Sequence, residues 1–596
     1  MSANKLSGVS AAPAGKEKLR VLVIGGGAAG LTAAVAAARF GASVTVAERM
    51  DRVGKKILAS GNGRCNISNI SIGLGNYHGA GAEPAFSIIS KFGDKFIPVF
   101  FNGIGVPTAL EDGARLYPRT FRSGTVLDAL RAEASALDVA ELPGYEAETV
   151  EKKGEIFVVG FLGKPCAEFD RVVVTAGGKA SPFLGSNGSG YGLLTALGHR
   201  LEPPSPALTQ VRVAPEGIRG LKGARVYAEL TLLSAGMGGV CFRERGELLF
   251  TEYGVSGIPA MNLSCRLSPY MLKAGEDAQR RTADRRTVDQ RSADWFASNR
   301  RPADQRPADR RPADQRSADR LAAALGRPGK GAYGFTVPAG KFFLLIDLLP
   351  EFTYDEAAAF INWRAERWPQ MPLGEIVGGL IHKRVAEALI RRVFGGGGAR
   401  SVGNLPLVGP SGASAPGIST AGVFTPGLSA PSLSTYGLSA PGVSTSDLSA
   451  PSLSAPGAAM SDLSTPGLSA PGVSTSDLSA PGVSTSDLST PSLSAPGASM
   501  SDLIAEIKGW RHEVLGIMDF DNAQATYGGL SFDDFDADTL ESKIVKGLYA
   551  AGEILDVIGD CGGYNLHWAW VSGYLAGMCA AGAEFGNSAG TSDKCR

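Results

Sequence analysis

The chain has 596 residues, 44% of them hydrophobic and 19% charged, and its 58 basic side chains balance 58 acidic ones. This is the composition of a globular protein of about two to four domains, and zero net charge excludes recruitment of nucleic acid or an anionic membrane by overall charge. The seven cysteines never show C-x-x-C spacing and the five histidines show no ligand spacing. We therefore expect a reducing compartment, no disulfide framework and no metal site.

The N-terminal stretch, residues 1–17, is expected to be flexible. It lacks the apolar core of a signal peptide, and the chain has no run of about 18 apolar residues. We therefore expect a cytoplasmic protein that does not contact a membrane.

A nucleotide-binding turn is the first predicted element. The segment LRVLVIGGGAAGLTAAVAAARFGASVTVAERM predicts a buried strand over 19–24, a glycine turn, an alanine-rich helix and a second strand over 43–48. Gly25, Gly27 and Gly30 form G-x-G-x-x-G, in which the first glycine permits the turn, the second admits a pyrophosphate and the third packs helix on strand. Glu48 ends the second strand, where a carboxylate can accept hydrogen bonds from a ribose. The motif does not separate FAD from NAD.

Two repetitive tracts interrupt the chain. Residues 281–320 repeat every five positions as Arg-x-Ala-Asp-Arg/Gln, and residues 414–503 repeat as SAPGI, SAPSL, STSDL and STPGL. A five-residue period matches neither the 3.6-residue period of an α-helix nor the two-residue period of a β-strand, and proline recurs in both tracts. We therefore expect flexible insertions. For the second tract, a pentapeptide-type solenoid is the ordered alternative.

The second half of the nucleotide site is predicted near the C-terminal end, in GLYAAGEILDVIGDCGGYNLHWAWVSGYLAG. It reads as a short strand over 548–551, a Gly-Glu turn carrying Asp556, a glycine hinge at Gly562 and Gly563, and a helix from Tyr564. In two-part flavin sites such an acid meets the ribityl or pyrophosphate and the helix start faces the isoalloxazine. The pairing of the two segments favours FAD.

The sequence also resembles a specific family. The likeness is carried by GKKILASGNGRCNISN (54–69), RLYPRTFRSGTVLDAL (115–130), VVVTAGGKASPFLGSNGSGYGL (172–193), GELLFTEYGVSGIPAMNLS (246–264), AQATYGGL (523–530) and the C-terminal block. These blocks resemble, in the same order, the BaiN/RdsA-like (YhiN-like) flavoproteins, which are grouped with aminoacetone-oxidase-like FAD enzymes. Outside the two repeat tracts, the resemblance covers nearly the whole chain.

The resemblance implies an α/β fold with a two-segment Rossmann-like FAD-binding domain. We expect that domain at 18–202 and 504–585, with an inserted β-rich domain and a small helical subdomain at 203–405. The low-complexity repeat then occupies 406–503, and 586–596 form a flexible tail.

Motifs and resemblance together give the expected cofactor contacts. Arg64 can meet phosphate, with a structural salt bridge as the alternative, and Cys65 is expected to pack or touch the flavin edge more than to act as a thiol catalyst. The full set is Gly25, Gly27, Ala28, Ala29, Gly30, Glu48, Arg49, Lys56, Asn62, Gly63, Arg64, Cys65, Asn66, Ala176, Gly177, Gly178, Gly552, Glu553, Asp556, Gly562, Gly563, Tyr564 and Asn565.

No catalytic residue is assigned by the sequence. The candidates are Cys65, Tyr253, Tyr527 and Asn565, and Ser256 is a further candidate for the substrate face. Ordinary packing is the alternative for Tyr253, Ser256 and Tyr527.

The expected reaction follows from FAD, which exchanges hydride or electrons at N5. There is no second G-x-G-x-x-G in strand-to-helix context, so NAD(P)H is expected as a transient electron donor that docks against the flavin. The resemblance implies reduction of an activated carbon–carbon double bond, either in a small-molecule enone or in a ribosomal RNA uridine that becomes dihydrouridine. For RNA, the arginines of the first tract alternate with aspartates, which favours a solvated linker over phosphate contacts.

Two other functions remain open. One is an amine or aminoketone oxidase that uses oxygen, and the other is a non-catalytic flavin-binding protein whose repeat binds a partner. The oligomeric state, the choice between NADH and NADPH, and the catalytic acid are not given by the sequence.

Overall fold

A computed structural model describes residues 18–234, 239–271, 334–336, 342–395 and 498–584. All of them belong to one compact unit, formed by residues 1–408 and 492–596. The first repeat tract, the second tract up to residue 497, and both expected flexible ends up to residue 17 and from residue 585 lie outside the described residues.

The described elements follow one another as short strands and helices. In chain order the strands are β1 (Arg20–Ile24), β2 (Ser43–Glu48), β3 (Ser68–Asn69), β4 (Tyr77–His78), β5 (Thr108–Glu111), β6 (Arg115–Pro118), β7 (Ala140–Pro143), β8 (Ala147–Lys153), β9 (Ile156–Phe161), β10 (Lys164–Phe169), β11 (Arg171–Val174), β12 (Leu201–Ala207), β13 (Val211–Val213), β14 (Arg225–Ser234), β15 (Gly239–Phe250), β16 (Gly254–Ser256), β17 (Gly334–Thr336), β18 (Phe342–Asp347), β19 (Trp510–Met518), β20 (Ala525–Leu530), β21 (Leu548–Ala550) and β22 (Ile558–Gly559). The helices are α1 (Ala28–Arg39), α2 (Lys55–Ala59), α3 (Ala82–Phe92), α4 (Phe96–Gly103), α5 (Ser123–Ala136), α6 (Ser189–Thr195), α7 (258–271), α8 (Tyr354–Arg367), α9 (Leu373–Gly378), α10 (Lys383–Phe394), α11 (Met500–Gly509) and α12 (Tyr564–Ala580).

A five-stranded sheet in the order β21-β11-β1-β2-β7 forms the Rossmann-like domain. All four neighbouring pairs are parallel, with Leu22 opposite both Val172 and Thr45. The apolar runs of β1 and β11 are buried because helices cover both faces of such a sheet. Strand β21 comes from the C-terminal segment, so both ends of the chain contribute strands to this sheet.

The two helices that begin at this sheet are packed against each other along their backbones. Gly573 and Gly577 lie four residues apart on α12, and a Cβ on either would overlap the carbonyl oxygen of Ala29 or Ala33 on α1. Residues four apart share one helix face, so these glycines let the two backbones touch. The first and last segments of the chain are thereby held together.

The inserted β-rich domain is a closed barrel. Its strands follow the order β13-β16-β15-β14-β18-β19, and β19 pairs back to β13, with Val211 opposite Ile517. The expected boundary at residue 504 is therefore displaced, because β19 closes the barrel and α11 packs on it from the same core. The chain returns to the Rossmann-like domain only after β19.

Helices α8 to α11 pack on the barrel, and α11 lies outside the range 203–405 in which the resemblance places a small helical subdomain. They bury one apolar face against the barrel, with Ile361, Leu389 and Ile504 fully buried. Helix α8 begins with a capping box, in which the Thr353 hydroxyl accepts from the Glu356 amide and Glu356 accepts from the Thr353 amide. In the described part of the chain, no helix is long and apolar enough to cross a membrane.

Candidate active site

A cavity of about 520 Å³ lies between the two Rossmann-like segments and the barrel. This volume falls in the range of about 300 to 1,000 Å³ that small-molecule and cofactor sites occupy. The expected residues that line it are Gly25, Gly27, Ala28, Ala29, Glu48, Arg49, Lys56, Asn62, Arg64, Asn66, Ala176, Gly177, Glu553, Gly562, Gly563 and Asn565. The structure thus brings together residues separated by more than 500 positions in the sequence.

Two glycines of the turn allow close packing of the protein, and one leaves space for a ligand. Gly25 has a φ of +104°, and a Cβ there would lie 2.7 Å from the Thr175 carbonyl oxygen. A Cβ on Gly30 would overlap the Gly25 carbonyl oxygen, so Gly30 packs the helix and does not line the cavity. Gly27 differs, since a Cβ there would meet nothing within 4 Å. It therefore leaves space beside the first turn of α1, whose amides have no partner inside the helix.

Glu48 stands at the end of β2 with its carboxylate held by backbone amides. One oxygen accepts from the Gly26 amide at 2.9 Å and the other from the Met50 amide at 2.8 Å. The side chain is buried and lines the cavity. A fixed carboxylate at this place can accept further hydrogen bonds from ribose hydroxyls.

Arg49 follows Glu48 and is engaged by protein groups. Its guanidinium contacts Glu146 Oε1 at 3.3 Å and the Gly185 carbonyl oxygen at 3.4 Å. It reaches the cavity edge as part of this ion pair, so its charge is partly neutralised there.

The loop that follows α2 has a left-handed backbone. The φ values of Gly61, Asn62, Gly63 and Cys65 are 57°, 55°, 81° and 56°. Because cysteine rarely adopts this conformation, the contacts around the loop must hold its backbone in place. Its last residue, Asn66, has a buried Oδ1 with no partner in the described structure and lines the cavity.

Arg64 is held by an acid and two aromatic rings. Its guanidinium makes contacts of 2.5 and 3.2 Å to the two Glu111 carboxylate oxygens, and it lies 4.6 Å from the Tyr117 ring centre and 4.7 Å from that of Phe121. This is the structural salt bridge that was the alternative for this residue. Its contact with a phosphate remains a prediction.

Cys65 is fully buried and does not line the cavity. Burial raises the pKa of its thiol to about 12. Because the thiolate is the reactive form, a thiol that stays protonated at neutral pH is a poor nucleophile. The geometry favours the packing role over thiol catalysis.

Lys56 and Glu553 join the two segments across the cavity wall. Their charged groups are 2.8 Å apart, Lys56 also donates to the Ala180 carbonyl oxygen at 3.3 Å, and Glu553 accepts from the Thr526 amide at 3.0 Å. The pair is about three-quarters buried. Both side chains line the cavity, yet each already has a partner.

Several expected contacts lie behind the cavity wall and have structural partners. The Asp556 carboxylate accepts from the amides of Ala80 at 2.8 Å and Gly528 at 3.1 Å, and burial raises its pKa. A Cβ on Gly178 would overlap Thr526 Oγ1. The expected residues that are absent from the described lining are Gly30, Gly63, Cys65, Gly178, Gly552, Asp556 and Tyr564.

At the start of α12, Asn565 clamps the preceding loop. Its Oδ1 accepts from the Gly559 amide at 2.8 Å and its Nδ2 donates to the Gly559 carbonyl at 2.7 Å. Gly563 caps the helix with a φ of +103°, and Tyr564 donates from its hydroxyl to the Ser71 carbonyl oxygen at 3.2 Å. The side chains of Asn565 and Tyr564 therefore fix the loop, while the backbone at Gly562 and Gly563 forms the wall.

The tyrosine candidates are not brought to the described cavity lining, nor is Ser256. The Tyr253 hydroxyl donates to Gln210 Oε1 at 2.7 Å. Tyr527 lies on β20, where burial raises its pKa to about 12. Ordinary packing, the alternative for these residues, agrees with the geometry.

Sequence reasoning missed the barrel side of the cavity and two residues beside the second glycine pair. Leu208, Ile258, Met261 and Gln524 enter the lining through the junction of the two domains. Asp560 and Cys561 also line the cavity. They could have been predicted because they immediately precede Gly562 of the glycine hinge. In the described residues no group of three or more His, Cys, Asp or Glu side chains could hold a metal ion.

The residues present fit a dinucleotide. The space at Gly27, the fixed Glu48 carboxylate and the unpartnered Asn66 Oδ1 each supply what such a ligand needs, and they meet in one cavity. With the second segment at the same cavity, the fold and site define a flavin-dependent oxidoreductase of the FAD-binding Rossmann type. The chain belongs to the family described as HI0933-like protein Rossmann domain, whose model matches residues 19–579.

The chain is also similar to proteins of known activity. The chain is 27% identical over 567 residues to a 3-dehydro-bile acid delta(4,6)-reductase of Clostridium scindens, covering 94% of this chain and 99% of the relative. It is 26% identical over 256 residues to the ribosomal RNA dihydrouridine synthase of Escherichia coli, covering 42% of this chain and 62% of the relative. In fold, it is similar to the open conformation of a flavocytochrome c3 fumarate reductase, at 13% identity and a TM-score of 0.35, with 95% of this chain and 78% of the other covered.

Proposed function

We propose that this protein binds FAD and catalyses NAD(P)H-linked reduction of an activated carbon–carbon double bond in a small molecule. The observation that carries the proposal is one cavity lined by the glycine turn, by the second segment and by the barrel. A dinucleotide fits the first two walls, and the barrel wall leaves room for an acceptor beside it.

The chain's own residues have distinct tasks in this proposal. The first amides of α1, at Ala28 and Ala29, bind the pyrophosphate, and Glu48 accepts from the adenosine ribose. Asn66 Oδ1 accepts a hydrogen bond from the cofactor, and the backbone at Gly563 presents the start of α12 to the ring system. When bound, FAD supplies a centre that takes up a hydride from one substrate and gives it to another.

The barrel wall excludes water from the reacting end. Leu208, Ile258 and Met261 are apolar and line the cavity where the two domains meet. Removing water strengthens the polar interactions inside a site and suppresses side reactions. Because a single cavity serves both donor and acceptor, we expect NAD(P)+ to leave before the acceptor binds, which gives ping-pong kinetics.

The acceptor class is proposed from the extent of the likeness. The relative named for bile-acid reduction aligns with 94% of the chain, whereas the relative named for dihydrouridine synthesis aligns with 42%. An enone of a polycyclic or comparable apolar molecule is therefore our first acceptor class. A uridine in ribosomal RNA is the second, and an amine or aminoketone oxidised by oxygen is the third.

Anaerobic mixing of FAD-loaded protein with NADH and then NADPH tests the proposal. We expect one donor to bleach the visible flavin absorption rapidly and an enone to restore it with formation of the saturated product. The Gly27→Ala variant, which should fold and bind FAD much more weakly, is the control for donor oxidation by free flavin. Bleaching by neither donor, with peroxide formed from an amine in air, would replace this proposal by the oxidase.

Deleting residues 411–490 separates catalysis from a function of the repeat. This deletion leaves intact the Ser499 capping box of α11, in which Ser499 accepts from the Asp502 amide. We expect flavin content and turnover to remain unchanged. A loss of both would support a function that depends on the repeat.

A further inference from the structure

Cationic side chains line the cavity, and most of them are already paired. In the part of the chain that the structure describes, the six are Arg49, Arg52, Lys55, Lys56, Arg64 and Arg115. Four of the six have a carboxylate oxygen within 3.3 Å, and these are Arg49, Lys55, Lys56 and Arg64. The protein itself therefore balances their charges, and the two remaining arginines differ from them.

Arg52 belongs to the end of the cavity that holds the glycine turn. Its side chain is exposed, and its loop is fastened to that turn because the Gly54 amide donates to the Gly26 carbonyl oxygen at 2.8 Å. A ligand contact of Arg52 would therefore concern the proposed cofactor.

Arg115 lies at the glycine hinge instead. It is on β6 opposite Asn69 of β3, and Asn69 Nδ2 donates to the Gly562 carbonyl oxygen at 3.0 Å. Tyr117, two positions further along β6, also lines the cavity, as expected for residues that share one face of a strand. Strand β6 thus presents Arg115 to the cavity beside the start of α12.

The Arg115 guanidinium has only a weak partner. Its ion pair is with Asp112 Oδ2 at 3.7 Å, which is longer than a hydrogen bond, and 53% of the Asp112 side chain is exposed. Such exposed pairs contribute little. Among the described residues, none accepts a hydrogen bond from this guanidinium. Because only 33% of the Arg115 side chain is exposed, an incoming anion would meet a partly desolvated cation.

The acid at the same end of the cavity is held by a different arginine. Asp560 Oδ1 lies 2.7 Å from His78 Nε2, and His78 Nδ1 lies 2.8 Å from Arg266 Nη1. A guanidinium can only donate, so His78 Nδ1 accepts and the Nε2–H group donates to the Asp560 carboxylate. Within the described structure no ion pair joins Asp560 to Arg115. Arg115 is therefore left for an anion that a ligand brings.

The barrel wall of the same cavity is apolar, with Leu208, Ile258 and Met261 in its lining. A ligand that uses both features has an apolar body and one anionic group. The planar guanidinium matches a carboxylate, to which it can donate two parallel hydrogen bonds. We propose that Arg115 binds a carboxylate of the acceptor and thereby selects apolar enones that carry one acidic group. This inference rests on the proposed function and narrows its acceptor class.

A steroid enone carboxylic acid and its methyl ester test this selection, because they differ by one charge. For the acid, we expect Arg115→Gln to raise KM by roughly 10- to 100-fold, the size of a hydrogen bond to a charged group, with kcat within about twofold of wild type. KM for the ester should not change. Arg115→Lys keeps the charge without the planar fork and should give an intermediate KM for the acid. An equal rise for acid and ester would overturn the proposal, since Arg115 would then only shape the site.

Arg131→Gln is the matched control. Arg131 is exposed, is paired with Glu141 at 2.8 Å and is absent from the described cavity lining. Its replacement should leave KM for the acid unchanged. A rise equal to that in Arg115→Gln would mean that overall charge, and not a contact in the cavity, attracts the acid.

The phosphates of FAD and NAD(P)H are the other anions that could reach Arg115. FAD affinity, measured by titration of cofactor-free protein, and bleaching by the active nicotinamide should be the same in Arg115→Gln and wild type. A loss in either measurement would assign Arg115 to a nucleotide phosphate and overturn the acceptor role.

Calorimetric titration of oxidised, FAD-loaded protein decides the proposal without turnover. The saturated steroid acid should bind wild type at least about 10-fold more tightly than Arg115→Gln, whereas its methyl ester should bind both proteins equally. If wild type reduces enones but binds the acid no more tightly than the ester, the proposed function stands and the role of Arg115 is wrong. If wild type is bleached by neither nicotinamide, the proposed function fails, and this titration still decides whether Arg115 binds a carboxylate.

Discussion

Helices α1 and α12 begin at the same cavity, and their first turns are built for different purposes. At α1, a Cβ on Gly27 would meet nothing within 4 Å, so the turn leaves space for a ligand. At α12, a Cβ on Gly563 would lie 2.5 Å from the Ser68 carbonyl oxygen and 2.8 Å from Asn66 Oδ1. The glycine of α12 is therefore required mainly for close packing of the chain. A glycine beside a cavity marks a ligand contact only when the space next to it is empty.

The largest expected effect concerns the contact between these two helices. Gly577→Ala would place a methyl group on the Ala33 carbonyl oxygen and force α12 away from α1. Overpacking of this kind costs about 3 kcal/mol, the upper end of the usual range. Urea unfolding should show that loss in the free energy of unfolding.

Gly192→Ala is the control for this change. Gly192 is exposed in α6, and a Cβ there would meet nothing within 4 Å. Alanine should be neutral or stabilise the helix slightly. Similar losses for both variants would contradict close packing of α12 on α1.

Gly27→Ala should separate binding from folding. The new methyl group enters space that the fold does not use, so we expect the unfolding free energy of cofactor-free protein to stay within about 0.5 kcal/mol of wild type. FAD affinity should fall about 100-fold, which is about 2.7 kcal/mol, because the pyrophosphate can no longer approach the backbone. Titration of cofactor-free protein with FAD measures this, and unchanged affinity would remove the glycine turn from the proposed site.

The pH dependence of stability tests the packing of α12. His567 Nδ1 lies 2.7 Å from Ser68 Oγ, and burial lowers the pKa of His567 to about 4. In the unfolded chain the pKa is near 6.5, so between these values the unfolded state binds more protons. The contribution is complete above about pH 6.5 and is lost as the pH falls toward 4. Between pH 7 and pH 5, the titration of His567 should lower the free energy of unfolding by about 2 kcal/mol.

Urea unfolding of wild type and His567→Asn at the two pH values isolates this residue. The variant keeps a polar atom near Ser68 but cannot titrate in this range. Its loss of stability between pH 7 and pH 5 should be smaller than that of wild type by about 2 kcal/mol. An identical pH dependence would mean that His567 is accessible to protons in the folded protein.

The sequence predicted elements with local signals and did not predict a strand pairing between distant segments. The strand over 43–48 and the helix from Tyr564 were correctly predicted, because a buried run, a glycine turn and an apolar helix are local signals. Strand β19 was placed in the wrong domain, since its partners β13 and β18 lie far away in the sequence and on the other side of a repeat. No local pattern encodes that pairing.

Site residues were predictable where the backbone conformation of the turn requires them. They were less predictable where a side chain can bind either the protein or a ligand. Gly27 and Glu48 follow from the turn itself. Asp556 stands equally close to the predicted turn, yet its carboxylate binds the amides of Ala80 and Gly528. An acid beside a glycine turn can satisfy protein amides or a ligand, and only the three-dimensional arrangement decides between them.

The smallest expected effect distinguishes two roles of Arg64, an ion pair with Glu111 and a contact with the cofactor phosphate. Arg64→Lys would lose the two-pronged contact with Glu111 and the stacking on Tyr117 and Phe121. Because the ion pair is partly exposed, we expect a loss of about 1 kcal/mol in unfolding free energy. FAD affinity should change less than threefold, since a guanidinium that already has a carboxylate partner is not free to neutralise phosphate. A variant with wild-type stability and clearly weaker FAD binding would show the reverse: the ion pair with Glu111 would then break when the cofactor binds, and Arg64 would belong to the phosphate site that its sequence motif predicts.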